Sequence, residues 1–267
     1  MIRNGSTPLW KPGIGAQIDR SHPAAKGLLA CWLFNENSGA VSYDMMGQYH
    51  YAFTGGVSRM ATPTGPAIKF NGIGGQGIAQ GHPLANAAAF TVILYVNQKD
   101  GLGNPFGPYL GSEQSSTGGC YIGSDQIGAM IYEIGNVNNS LAVNDGQWNH
   151  CAFQYNGTTK AAFLNGILSH SVSNTFGVMP NYLNTYIGKR PVSDGGYTTD
   201  SQIGYMKVWN RILSQSEIVG DYTSPWAMFT PANDRRFLRV ASSAPGGGLS
   251  VGSLAIGGSG RLSVGIV

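Results

Sequence analysis

The chain has 267 residues, 42% of them hydrophobic and only 11% charged, with a formal net charge of +3. That much apolar material supports a real core and excludes wholesale disorder. The thinly spread basic residues, densest at Arg235, Arg236 and Arg239, exclude a nucleic-acid footprint.

Residues 1–26 have little periodicity and read as an extended N-terminal arm. "MIRNGSTPLWKPG" lacks the apolar centre of a secretory leader, so synthesis and maturation are expected in a cytoplasm. No run anywhere reaches the ~18 apolar residues that a membrane span needs. Apolar runs then recur at short intervals: "LLACWLF" (28–34), "YHYAF" (49–53), "AIKF" (67–70), "FTVILYV" (90–96), "CYIGS" (120–124) and "GAMIYEI" (128–134). They continue with "WNHCAFQY" (148–155), "KAAFLNG" (160–166), "LNTYIG" (183–188) and "IGYMKVWN" (203–210). Gly, Asn, Asp or Pro fills nearly every gap, the spacing of an antiparallel sandwich or jelly roll.

Within 148–155 the two-residue period puts Asn149, Cys151, Phe153 and Tyr155 on one face, and Trp148, His150, Ala152 and Gln154 on the other. Asn156-Gly157 follows, a hairpin signal because both residues tolerate positive φ. Trp32, Phe70, Trp148, Cys151, Phe153 and Trp209 are the expected core landmarks. The odd cysteine count (Cys31, Cys120, Cys151), with no CxxC pair, predicts reduced thiols. One helix is expected at "SQSEIVGDY", where Ser214 stands three residues before Glu217 in a capping box. The segment after it, "TSPWAMFTP", is expected to pack back on the domain.

From about Ser242 the composition changes. Residues 242–267 carry no acid and repeat Leu-Ser-Val-Gly at 249–252 and 262–265. Alternation of Leu249, Val251, Leu254, Ile256, Leu262, Val264 and Ile266 with Ser and Gly suits a strand in an intermolecular sheet. The tail is therefore expected to be an assembly element, contacting further copies (a dimer or trimer) or a protein lattice.

"GLLACWLFNENSG", "AIKFNG", "FTVILYVN", "DGQWNHCAFQYNGTTKAAFLNG", "YIGKR" and "IGYMKVWNRILSQSEI" resemble, in order, the landmarks of laminin G-like domains of the concanavalin A-like superfamily. The resemblance spans about residues 27–222. It implies an all-β, two-sheet antiparallel jelly-roll sandwich, here assigned to 27–241, between the arm (1–26) and the Gly-rich tail (242–267). "GAQIDRSHPAAKGLLACWLFNENSG" and "SPWAMFTPANDRRFL" also look like the ends of such domains in bacteriophage structural proteins. That likeness implies a virion component, made in the host cytoplasm and displayed on the particle surface: a capsid decoration protein, or a head or tail fibre.

Glycoside hydrolysis needs two carboxyl groups across the scissile bond. The superfamily's glucanases set theirs on one strand as ExDxxE, which has no match here. Glu133 is the one acid inside a convincing strand, and His150 the one strand histidine, expected at the sandwich rim. No catalytic residue is assigned, and no cofactor. Laminin G-like domains often hold a calcium ion at a loop rim, for which Asp44, Asp125, Asp194 and Asp200 are the candidate acids. A lectin-like alternative, binding host surface glycans, would draw its aromatic platform from Tyr109, Tyr121, Tyr132, Tyr182, Tyr186 and Tyr197.

Overall fold

The computed structural model describes residues 10–98, 108–112, 119–124, 130–135, 137–143, 146–173, 177–189 and 198–230. The seven tail residues from Leu249 to Ile266, together with Asp125, Asp194 and Tyr197, lie outside them. In chain order the strands are β1 (Gln17–Ile18), β2 (Leu28–Trp32), β3 (Val41–Ser42), β4 (Tyr51–Thr54), β5 (Val57–Met60) and β6 (Ala67–Asn71). Next come β7 (Gln76–Gln80), β8 (Phe90–Gln98), β9 (Pro108–Ser112), β10 (Gly119–Ser124), β11 (Met130–Gly135) and β12 (Val137–Leu141). The last are β13 (Trp148–Tyr155), β14 (Thr159–Leu164), β15 (Ile167–Ser173), β16 (Asn184–Ile187), β17 (Asp200–Trp209) and β18 (Phe229–Thr230), with helix α1 (Gln215–Thr223) before β18.

Two antiparallel sheets form the sandwich. The first runs β12-β11-β10-β9-β16-β7-β4-β3 and the second β15-β14-β13-β8-β17-β6-β5, with β2 also paired to β17. Between them lies one large apolar core containing Trp32, Phe70, Cys151 and Phe153. Gly188, at φ +86°, is needed there: a Cβ on it would stand 2.2 Å from the Phe70 ring.

A second apolar layer covers the outer face of the second sheet. Cys31, Ile93, Ala152, Tyr205 and Trp209 pack there beneath Leu213, Ile218 and Met228. This is why all of β13 after Trp148 is buried, although its alternation suggested one core face. Trp148 itself is half-buried and stays outside both core clusters, so it is a surface-facing landmark rather than a core one.

Residues 10–26 are knitted into the domain rather than extended from it. β1 pairs with β18, and Trp209 Nε1 donates to Ala24 O at 2.8 Å. The Lys11 ammonium donates to the carbonyl oxygens of Leu33, Pro66 and Gly204, and its burial brings its pKa down to about 7. In α1 the capping box is formed in both directions, and an Arg211 hydrogen bond helps hold Glu217 at a pKa of about 2. At the hairpin only Gly157 takes a positive φ. Asn156 acts instead through its side chain, whose Oδ1 accepts from the Thr158 and Thr159 amides. The turn with two positive φ values is the later one, Asn165-Gly166. No helix among the described residues is long and apolar enough to cross a membrane.

Candidate functional site

Asp44 follows β3, and its carboxylate is spent on the backbone. Oδ1 accepts from the Cys31 and Met46 amides, at 2.8 and 3.0 Å. Oδ2 accepts from the Gln48 and Tyr49 amides, at 3.0 and 3.2 Å. Four N–H donors converging on one buried carboxylate leave no lone pair for a cation, so the calcium expectation does not fit at Asp44. Among the described residues no three His, Cys, Asp or Glu side chains are grouped to hold a metal ion.

His150 is not at the rim. It is 1% exposed beneath α1, with Nε2 3.2 Å from Asp221 Oδ2. Lys207, fully buried, donates to Asp221 Oδ1 and to Pro225 O, and the Tyr205 hydroxyl donates to Asp221 Oδ2 at 3.2 Å. Burial pushes the Asp221 carboxyl upward. The Lys207 charge and the His150 and Lys207 hydrogen bonds outweigh it and hold the group below its ordinary 3.8. This cluster fastens the helix to the sheet, with Lys207 and His150 buried and the Asp221 side chain only 11% exposed, so its chemistry is structural. Its sequence signal was a lysine in the middle of an apolar strand, "GYMKVW".

The open part of the same outer face is different. Register sets Trp148 of β13 opposite Asn97 of β8, Asn97 opposite Gln202 of β17, Gln202 opposite Lys69 of β6, and Lys69 opposite Ser58 of β5. Their strand neighbours Cys151, Val96, Ile203 and Ile68 point into the inter-sheet core, so this row points outward. Trp148, Asn97, Gln202 and Lys69 are partly exposed and Ser58 is exposed. Beside Asn97, Tyr95 stacks against Trp148 (centroids 4.8 Å apart, 15° between planes) and against Tyr205 (5.6 Å, 15°). Gly204 provides the floor, since a Cβ there would meet the Tyr95 ring at 2.7 Å. Asp200, two residues before Gln202, shares the face. Asp200 Oδ1 and Asn97 Oδ1 accept no hydrogen bond from the described residues. From Trp148 to Lys69 is three strand spacings, about 14 Å. An indole, two amides, a carboxylate, an ammonium and a hydroxyl thus share one strip of this face.

Three of the six tyrosines expected to supply a platform lie off this strip. Tyr109, Tyr182 and Tyr186 are buried, and the Tyr109 hydroxyl donates to Gln98. On the first sheet, Tyr121 is in register with Gly111 and Glu133, and Glu133 with Asn138; Tyr132 is in register with Ile122 and Asn139. No acid on either partner strand stands opposite Glu133.

Residues 72–219 match the family model described as the concanavalin A-like lectin/glucanases superfamily. No curated protein matches the chain. Among solved structures, Trypanosoma rangeli sialidase in complex with sialic acid superposes with a TM-score of 0.61 at 17% identity, over 80% of this chain and 37% of the sialidase. The binding domain of Paraclostridial Mosquitocidal Protein 1 gives 0.60 at 13% identity, over 76% of this chain and 53% of that one. The binding domain of botulinum neurotoxin DC, in complex with rat synaptotagmin II, gives 0.59 at 14%, over 74% and 52%. The chain therefore spans little more than a third of the sialidase and about half of the toxin domains. At these identities the likeness is one of fold.

Proposed function

The chain belongs to the concanavalin A-like lectin/glucanase superfamily, and on that premise we propose that it is a non-enzymatic binding module that takes saccharide on the outer face of its second sheet. The observation that carries this reading is the Trp148–Tyr95 stack, flush on Gly204 and continued by Asn97, Gln202 and Lys69. Sugar rings offer an apolar C–H side to the face of an aromatic ring, and hydroxyls to amides and charged groups. Turnover is not part of the reading, because glycoside hydrolysis needs two carboxyl groups and the strip as described carries one, Asp200. Asp44 binds amides, Asp221 binds Lys207, Glu36 pairs with Arg59 at 3.0 Å and Glu217 pairs with Arg211 at 2.6 Å. Glycan-array binding by the purified chain tests it. Specific saccharide binding, lost in Trp148→Ala and kept in the distant Ile73→Ser, is the expected result. An empty array, or binding indifferent to Trp148→Ala, refutes it.

A second reading concerns where such a module works. The two segments that look like the ends of bacteriophage structural domains meet in space: Gln17 pairs with Thr230, and Ile18 with Phe229. This suits a unit displayed on a virion surface, as a capsid decoration or a head or tail fibre, and held through its 242–267 tail to a capsid or tail-protein lattice. Many weak attachments to a repeating lattice add up multivalently. Its test is co-purification with assembled particles through a density gradient. A chain found only in the soluble fractions rules the reading out.

A further inference from the structure

Lys11 of the N-terminal arm ends on the residue that floors the aromatic stack. β17 carries a bulge at Gly204, the extra residue between the pairs Ile203–Val96 and Tyr205–Tyr95. Along its other edge β17 changes partner at the same place, with β6 on residues 200–203 and β2 on residues 206–209. The end of β2 and the start of β6 thus leave a gap at Gly204. Leu33 is the first residue past β2 and Pro66 the last before β6. Their carbonyl oxygens, and that of Gly204, all accept from the Lys11 ammonium. One side chain thus supplies donors to three carbonyls at a break in the ladder. The rest of the arm holds the lysine there. Lys11 N donates to Thr64 O at 3.1 Å, and Asn35 Nδ2 to Pro12 O at 2.9 Å. Gly65, at φ +116°, leaves room for the lysine stem, since a Cβ there would lie 3.2 Å from Lys11 Cβ and Cγ. Glu36 and Arg59, the charges that act on the ammonium, are paired with each other at 3.0 Å.

On its outward side Gly204 lies under both rings of the stack: a Cβ there would stand 2.7 Å from Tyr95 and 3.4 Å from Trp148. We propose that Lys11 is a positioning residue for the strip, its ammonium fixing the Gly204 bulge and through it the Trp148–Tyr95 stack. The effect on ligand rests on the saccharide reading of the strip, whereas the effect on the rings does not. Glycine has no side chain to limit its backbone, so a bulge at Gly204 depends on outside contacts for its shape. Carbonyls deprived of the ammonium must find water or shift to other donors, and either moves the floor. Arm docking and saccharide binding are therefore coupled, and the coupling runs both ways. A ligand that needs the stacked rings also favours the docked arm.

Fluorine NMR of the full chain labelled with fluorotryptophan tests the placement without any sugar. The Trp148 resonance is assigned by its loss in Trp148→Phe. In Lys11→Met, which keeps the stem and drops the ammonium, that resonance should shift or broaden. The Trp209 resonance, from the far end of β17, should stay in place and show that the chain is folded. In Lys11→Ala, added propylammonium should restore the wild-type position. Propanol should not, because it brings a single donor and no charge. On the glycan that the wild type binds, Lys11→Met should weaken affinity about tenfold. A Trp148 resonance unmoved in both lysine variants overturns the proposal, and so does a moved resonance with wild-type affinity. An array on which the wild type binds nothing refutes the saccharide reading, and the resonances alone then decide whether Lys11 sets the rings.

Discussion

Replacing Asp221 by alanine removes the carboxylate that holds Lys207, His150 and Tyr205 together beneath α1. Lys207 has no exposure, so its ammonium would keep only Pro225 O and the flanking rings of Tyr205 (4.8 Å) and Trp226 (5.2 Å). Stranding one member of a buried ion pair costs about 3–5 kcal/mol. The remaining cation–π contacts return roughly 0.5–2 kcal/mol of attraction, which places the net effect near the low end, about 3 kcal/mol. With an m-value of about 2 kcal/mol/M in urea, the unfolding midpoint should fall by roughly 1.5 M. The paired replacement Lys207→Met with Asp221→Leu should stay close to wild type, because it removes both charges together with their desolvation cost. Acid provides an independent handle. The folded pKa of Asp221 lies below its ordinary 3.8, so the unfolded chain binds the proton first. The stability this carboxylate contributes is complete above 3.8 and lost as the pH falls below it. The wild type should therefore lose stability more steeply there than Asp221→Ala does. A single variant within about 1 kcal/mol of wild type, or a double variant as damaged as the single, refutes the reasoning.

Phe153 is 1% exposed in the inter-sheet core, and Phe153→Ala should cost about 3–5 kcal/mol in the same urea assay; an unchanged midpoint contradicts the packing. Burial raises the thiol pKa of Cys31 to about 12 and pushes Cys151 up further, so neither should react with a thiol reagent in the native protein. After denaturation without reductant, alkylation should count three thiols, and a mass deficit matching a disulfide contradicts this.

Long apolar strands were legible. The run "WNHCAFQY" has the same limits as β13, and "FTVILYV" lies inside β8. Edge and near-edge strands were not. β15 offers three apolar residues in seven because it buries almost nothing, and periodicity records only burial. The helix was readable from Ser214 and Glu217, since capping is local. The Lys207–Asp221–His150 cluster was not, because it joins a strand, a helix and another strand that are adjacent only once folded. The same holds for Trp148, Asn97, Gln202 and Lys69, which belong to four strands and become neighbours through register alone. Asp44 looked like a loop acid open to a cation. Nothing in "SYDMMG" announces the four amides that close around it.

β17 pairs with β8, β6 and β2, and it is the last long strand of the domain. While the chain is being synthesised, the second sheet therefore exists only as unjoined pieces: the β8-β13-β14-β15 meander, the β5-β6 hairpin and a lone β2. Residues 28–32 must wait for residues 206–209, and that long-range closure makes for slow folding. Buried faces such as Leu94–Val96 and Ile68–Phe70 stay exposed until then, open to capture by chaperones or by other nascent chains. Chains cut short before residue 200 should accumulate as aggregates rather than as a smaller native domain.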